Sequence, residues 1–275
     1  MSVDTVARHG DDCARAEETV VVGVGAVTPE QVLSVARRGA AVTLSEDALL
    51  AMSESRRRIE ALAEDPKPVY GISTGFGALA TRHIPSALRT QLQRSLVRSH
   101  AAGNGPEVER EVVRALMLLR LSTLATGRTG ARPEVAQIYA SLLSAGITPV
   151  VHEYGSLGCS GDLAPLAHVA LAVIGEGTVR DADGESMPAA KALSAAGIAP
   201  VVLEEKEGLA LINGTDGMLG MLVLACQDLR RLLRLADVTA AMSVEGLLGT
   251  DRVFAPDLQA LRPHPGQARA AANMV

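Results

Sequence analysis

Between Thr215 and Gly249 the chain carries MLGMLVLACQDLRRLLRLADVTAAMSVEGLL, a run that is apolar on most faces of any helix built from it. A helix of that kind has to be surrounded, so it belongs inside a bundle or at an oligomer interface. Covering each large apolar side chain is worth roughly 1.5–3 kcal/mol, so the demand is a strong one. Of the 275 residues 48% are hydrophobic, ample for one large domain or two. The aromatic residues are Tyr70, Phe76, Tyr139, Tyr154 and Phe254, so the core has to be aliphatic. A mainly α fold is expected.

The rest of the pattern adds a small α/β cap at the N-terminus. Thr19 to Gly25 is a short β-branched run and reads as a strand. Thr28, Pro29 and Gln31 then open a helix, with Thr28 as cap and Gln31 closing a capping box. That helix ends at Gly39. Val42 to Leu44 reads as a second strand, and Ser45 as the cap of a helix to about Ala63, stopped by Pro66 and Pro68. Helical spacing recurs from Glu107 to Ala125 and from Pro133 to Ala145, and Ile147 to Val151 looks extended. Asp162 is expected to cap a helix reaching about Ile174, and 180–187 to form a polar loop. The ending, ARAAANMV, carries no stop signal and reads as a cut before the second half of a bundle.

There are 26 Lys and Arg against 31 Asp and Glu, a net charge of -5, with no basic block. That argues against nucleic acid or an anionic membrane as partner. No apolar run is expected to reach membrane-spanning length. Residues 1–18 lack the apolar centre of a signal peptide and read as a flexible polar extension before one domain, 19–275. Cys13, Cys159 and Cys226 are too few and too scattered for a disulfide framework or a zinc ribbon, which favours the cytoplasm. No His, Asp and Glu cluster has metal-ligand spacing, so no metal is expected.

Four short segments stand out. Gly155 to His168 reads GSLGCSGDLAPLAH. Taken alone it is a loop leading into a capped helix. Ser160 does not sit in a hydrolase elbow, because Asp162 stands where Gly-x-Ser-x-Gly needs its final glycine. Tyr70 to Gly77, YGISTGFG, reads alone as a glycine-rich turn with a packing tyrosine, and no Gly-Lys-Ser/Thr follows to make it a phosphate loop. His100, in RSHAAG, reads alone as a structural histidine near a helix end. Asn213-Gly214, in KEGLALINGT, reads alone as a turn.

Together and in this order, the four segments resemble those of the aromatic amino acid ammonia-lyases, and the resemblance runs from about Val20 to Met274. Arg262 to Gln267, RPHPGQ, also matches, although a rigid turn accounts for it equally well. In that family a triplet, usually Ala-Ser-Gly, cyclises into 4-methylidene-imidazol-5-one (MIO). The resemblance therefore implies an MIO built by the chain itself from Cys159, Ser160 and Gly161. Glycine suits the closing position because it has no Cβ to clash as the backbone folds tightly. Cys159 replaces the commoner alanine, and only its backbone carbonyl enters the ring.

The resemblance makes Tyr70 the base that takes the substrate's β-proton. A phenol needs donors or helix N-termini nearby to favour phenolate for that task. Ser73 stands where many members have Asn, and Asp216 where Gln is common. Ser99-His100 matches the pair found in members acting on histidine, and an imidazole there can donate and accept toward the substrate ring. Asn213 would orient the substrate and the ring. The implied reaction is L-histidine to trans-urocanate and ammonia. The implied assembly is a homotetramer in which several subunits complete each site and this tyrosine reaches a neighbour's cofactor. Two alternatives stay open: a lyase or 2,3-aminomutase for another aromatic amino acid, and a non-catalytic chain that only packs with partners.

Overall fold

The structure is a computed structural model that describes residues 18–159 and 161–275. Ser160, Cys13 and all but the last residue of the expected extension lie outside the described residues. Two compact units divide at Met221.

The first unit begins with β1 (Thr19–Val22), α1 (Pro29–Arg37) and β2 (Ala41–Leu44). The strands pair in parallel, Thr19 opposite Ala41 and Val22 opposite Leu44, with α1 as the crossover. This is the expected α/β cap, and the Thr28–Gln31 capping box forms in both directions. α2 (Glu46–Ala63) follows, but Ser45 does not cap it with its side chain. The Ser45 hydroxyl donates to the Asp47 carboxylate in the first turn of α2, and the Ser45 amide donates to the Val22 carbonyl at 3.0 Å, tying the helix entry to the strand.

The core is helical. α3 (Ser86–His100) packs on α6 (Leu163–Val173) and α8 (Glu207–Ile212); α4 (Arg110–Ala125) packs on α1 and on α5 (Pro133–Ser144). α4 is buried nearly all round, and Leu116, Met117, Leu118, Leu121 and Leu124 meet Leu142 and Leu143 of α5 in one aliphatic core. Arg114 is buried among them. Its Nε donates to the Val35 carbonyl at 2.9 Å and its Nη2 to that of Leu143 at 3.1 Å, bolting α1 and α5 to α4. Burial, and then Arg110, lower its pKa to about 10.

Small sheets edge this core. β3 (Asn104–Glu107) pairs antiparallel with β5 (His152–Tyr154), so the helix expected from Glu107 starts at Arg110. β4 (Thr148–Pro149), β6 (Thr178–Arg180) and β7 (Ser186–Pro188) form a second antiparallel sheet, which leads into α7 (Ala189–Ala195). The expected polar loop 180–187 holds at 181–185, as the turn of the β6–β7 hairpin. The Asp181 side chain closes its turn by accepting from the Asp183 and Glu185 amides.

α9 (Asp216–Gly246) starts in the first unit and supplies nearly half of the second. A 3₁₀ turn (Asp251–Phe254), α10 (Pro256–Ala260) and α11 (Pro265–Asn273) complete the second unit. Within it Asn273 donates to Asp237 at 2.7 Å, holding α11 on α9. Leu222, Leu229, Leu232 and Leu233 are exposed on this chain, although the sequence asked for cover there. Glu207–Gly246 is also long and apolar enough, by length and composition, to cross a membrane, which corrects the expectation that no such run exists. Bundle cores pass the same test, because protein and lipid cover select the same side chains. The fold is mainly α, as expected.

Candidate active site

Gly161 is buried against the turn formed by Asn213 and Gly214. A methyl group at Gly161 would stand 3.3 Å from the Gly214 carbonyl oxygen and 3.7 Å from Asn213 Oδ1. The next amide, Asp162 N–H, donates to that same carbonyl at 2.7 Å. Two segments some fifty residues apart are thus held together by backbone, with the missing Cβ of Gly161 making room. Cys159 is exposed.

Asp162 precedes α6, yet its side chain does not cap that helix. One carboxylate oxygen accepts the Ser156 hydroxyl at 2.6 Å and the other the Met218 amide at 3.0 Å. Asp162 therefore satisfies an orphan donor in the first turn of α9, where the helix dipole favours a negative charge. Ser156 in turn accepts from Gly158 N–H at 3.2 Å, and Gly158 itself takes φ +64. The loop entering the triplet is folded on that carboxylate.

The turn is pinned from behind by Arg120 of α4. Its Nη1 donates to the Ala210 and Asn213 carbonyls at 3.1 and 3.2 Å, and its Nη2 pairs with Asp216. Thr123 adds a longer bond to Asp216 at 3.4 Å. Burial pushes the Asp216 carboxyl above its ordinary range, and Arg120 opposes that push.

Ser99 and His100 end α3. His100 Nδ1 lies 2.9 Å from the Leu96 carbonyl oxygen and 3.0 Å from Ser99 Oγ. A carbonyl only accepts, so the proton on Nδ1 is assigned toward it. The following segment meets the triplet loop: a methyl at Gly155 would stand 3.2 Å from Gly103 Cα. Gly103 N–H also donates to His168 Nε2 at 3.1 Å.

Tyr70 is placed differently. The 70–77 loop rests on α8, where a methyl at Gly71 would lie 3.2 Å from Leu209. The tyrosine ring is half-exposed and edge-on to Phe76, with centroids 6.1 Å apart. The chain therefore brings Gly161, Asn213 and the His100 segment together, and leaves Tyr70 facing outward.

The sequence model of the aromatic amino acid lyases matches residues 27–275. The chain belongs to this family. It is 66% identical over 256 residues to a histidine ammonia-lyase of Streptomyces coelicolor, which covers 93% of the chain and 50% of that relative. A histidine ammonia-lyase of Streptomyces griseus matches to the same extent. Among solved structures, histidine ammonia-lyase from Trypanosoma cruzi superposes with a TM-score of 0.85 at 34% identity, over 93% of this chain and 49% of that one. Tyrosine aminomutase from Streptomyces globisporus gives 0.85 at 39% identity, over 93% and 48%. The chain spans about half the length of the curated relatives it matches.

An MIO at 159–161 fits what surrounds it. Gly161 has no Cβ where one would crowd the Gly214 carbonyl, and the amide after it is held by that carbonyl. The sequence reading carried no role onto Asp216 and missed Arg120 and Glu207. A signal for Arg120 was present: inside RALMLLRLSTLA it sits on a helix too apolar to leave it without acceptors, which are carbonyls for Arg114 and carbonyls with Asp216 for Arg120.

Proposed function

We propose that this chain carries the chemical half of a histidine ammonia-lyase, which converts L-histidine to trans-urocanate and ammonia. The observation that carries the reading is the 2.9 Å approach of His100 Nδ1 to the Leu96 carbonyl oxygen. A proton on Nδ1 toward that carbonyl would make Nε2 an acceptor for a ring N–H, which histidine has and phenylalanine lacks. The Streptomyces relatives support the same substrate.

The MIO expected from Cys159, Ser160 and Gly161 would supply an electrophilic methylene that turns the substrate's amine into a leaving group. The chain's own residues do the rest. Asn213, whose Oδ1 lies beside Gly161, orients the substrate over the triplet. His100 accepts from the imidazole and sets its position. Tyr70 receives the β-proton on its phenol oxygen. Its outward position in this chain suits a tyrosine serving a site shared between subunits. A cytoplasmic homotetramer is the assembly we infer. The exposed leucines of α9 are the surface that such an assembly would cover.

The test is a substrate panel on the longest gene product that carries this chain. We expect urocanate and free ammonia from L-histidine, with far slower turnover of phenylalanine and tyrosine. His100→Leu should cost histidine kcat/KM about 1–3 kcal/mol, the value of one pocket hydrogen bond. Preferred turnover of tyrosine with retention of nitrogen as a β-amino acid would instead favour an aminomutase. Unchanged histidine kinetics in His100→Leu would make that residue structural.

A further inference from the structure

We propose that Arg120 and Asp216 are positioning residues that hold the Asn213–Gly214 turn against Gly161 and so govern how readily residues 159–161 close into a ring. The inference rests on the reading of that triplet as self-cyclising.

The argument starts from the position of the charge. Arg120 is almost fully buried on an aliphatic helix, a costly place unless every strong interaction is used. Its two carbonyl partners, Ala210 and Asn213, lie at the C-terminal end of α8, where carbonyls have no helical donor. Its carboxylate partner, Asp216, is the first residue of α9. One guanidinium thus joins the end of one helix to the start of the next, and the turn between them is fixed at both ends.

The turn is pressed from both sides. A methyl group on Gly214 would run into the guanidinium of Arg120 and the carboxylate of Asp216. On the opposite side the Gly214 carbonyl takes the Asp162 amide and crowds Gly161. Ion pair, turn and triplet are therefore stacked in contact. Any retreat of the turn removes the wall behind Gly161. Closure forms a bond from the Gly161 nitrogen to the Cys159 carbonyl carbon. The Cys159 oxygen leaves as water with the Gly161 and Ser160 amide protons. The Ser160 hydroxyl leaves as a second water with that residue's Cα proton. No oxidant or reductant is needed. What the reaction does need is a backbone held bent, and the wall supplies it.

The test compares two variants of the longest gene product with the parent. Intact mass is followed over time after cell-free synthesis, together with the near-ultraviolet band and the thermal transition. The double variant Arg120→Met/Asp216→Leu replaces the buried pair by apolar side chains of similar volume, an exchange that often leaves stability unchanged or raised. It should keep a cooperative transition near the parent's while the loss of two waters slows at least about tenfold, an added barrier of about 1.4 kcal/mol. Asp216→Asn, which keeps the shape and removes the charge, should show an intermediate half-time. Parent-like half-times in both variants would overturn the inference. If the double variant does not fold, Asp216→Asn decides: a longer half-time supports the inference and a parental one overturns it. A parent that never loses two waters would overturn the cofactor reading, and this inference with it. A normal parent with normal variants would overturn this inference alone.

Discussion

Removing the carboxylate of Glu207 should loosen α8 about as much as truncating one of its buried apolar side chains. Glu207 opens that helix with no exposure at all. One oxygen accepts from the Arg132 amide and from Arg132 Nε, both at 2.9 Å. The other accepts from Arg132 Nη2 and from the Glu204 amide, both at 2.8 Å. Breaking a buried pair by deleting one partner costs about 3–5 kcal/mol. The figure must be reduced here, because the Arg132 side chain is 23% exposed and keeps Glu204 at 2.8 Å. We therefore expect about 2–4 kcal/mol for Glu207→Ala. At about 2–4 °C per kcal/mol for a chain of this size, the transition should fall by about 4–16 °C. Glu207→Gln keeps the shape but turns an amide N–H₂ toward arginine donors, so it should recover only part of the loss. Thermal unfolding at neutral pH, followed by circular dichroism, measures both. A shift of less than about 2 °C in Glu207→Ala would mean that the arginines rehydrate without penalty and that the network is not what holds α8.

Two further outcomes follow from the same structure. Burial, and then the His152 ring, hold the His168 pKa below its usual value, and its Nε2 must stay unprotonated to accept Gly103 N–H. Between the unfolded value, about 6.5, and that lowered one the unfolded chain binds the proton and the folded chain does not, so stability should fall as pH drops through this window. Melting temperature against pH should show a shallower acid-side decline in His168→Gln, and parallel curves would refute the assignment. Tyr139 is fully buried, and no hydrogen-bond partner for its hydroxyl is found among the described residues. Tyr139→Phe should therefore change stability by less than about 1 kcal/mol, or raise it. A loss above about 2 kcal/mol in chemical denaturation would reveal an internal water bound to that hydroxyl.

Local pattern carried much of the fold. The capping box at Thr28, the proline starts at Pro29 and Pro133, and the periodicity of α4 and α5 each depend on residues within a few positions of one another. The glycine triplet and the Asn213-Gly214 turn were legible for the same reason: their chemistry is written in contiguous residues. Two caps were misread because Ser45 and Asp162 have the right residue type at the right place. The Ser45 hydroxyl goes to the Asp47 side chain instead of accepting from a backbone amide, and the Asp162 carboxylate finds the Met218 amide off its own helix. The hairpin at 178–188 was hidden because its strands are three residues each, too short for alternation to show.

What stayed unreadable depends on topology. Arg120 and Asp216 are 96 positions apart, and Arg132 and Glu207 are 75 apart; no spacing rule connects them. Burial is the rule that does. An arginine inside an aliphatic helix must find acceptors where the fold brings the ends of other helices: carbonyls for Arg114, carbonyls and an acid for Arg120. For Arg120 that place is the junction of α8 and α9, which carries Asn213 toward the triplet. The charges that the aliphatic core could least accommodate thus came to rest directly behind the residues read as chemical. α9 shows the converse case. Leu222, Leu229, Leu232 and Leu233 fit the pattern of a buried helix and are exposed on this chain, while Leu224 of the same helix is buried. The homotetramer proposed above would supply the cover that these four side chains lack.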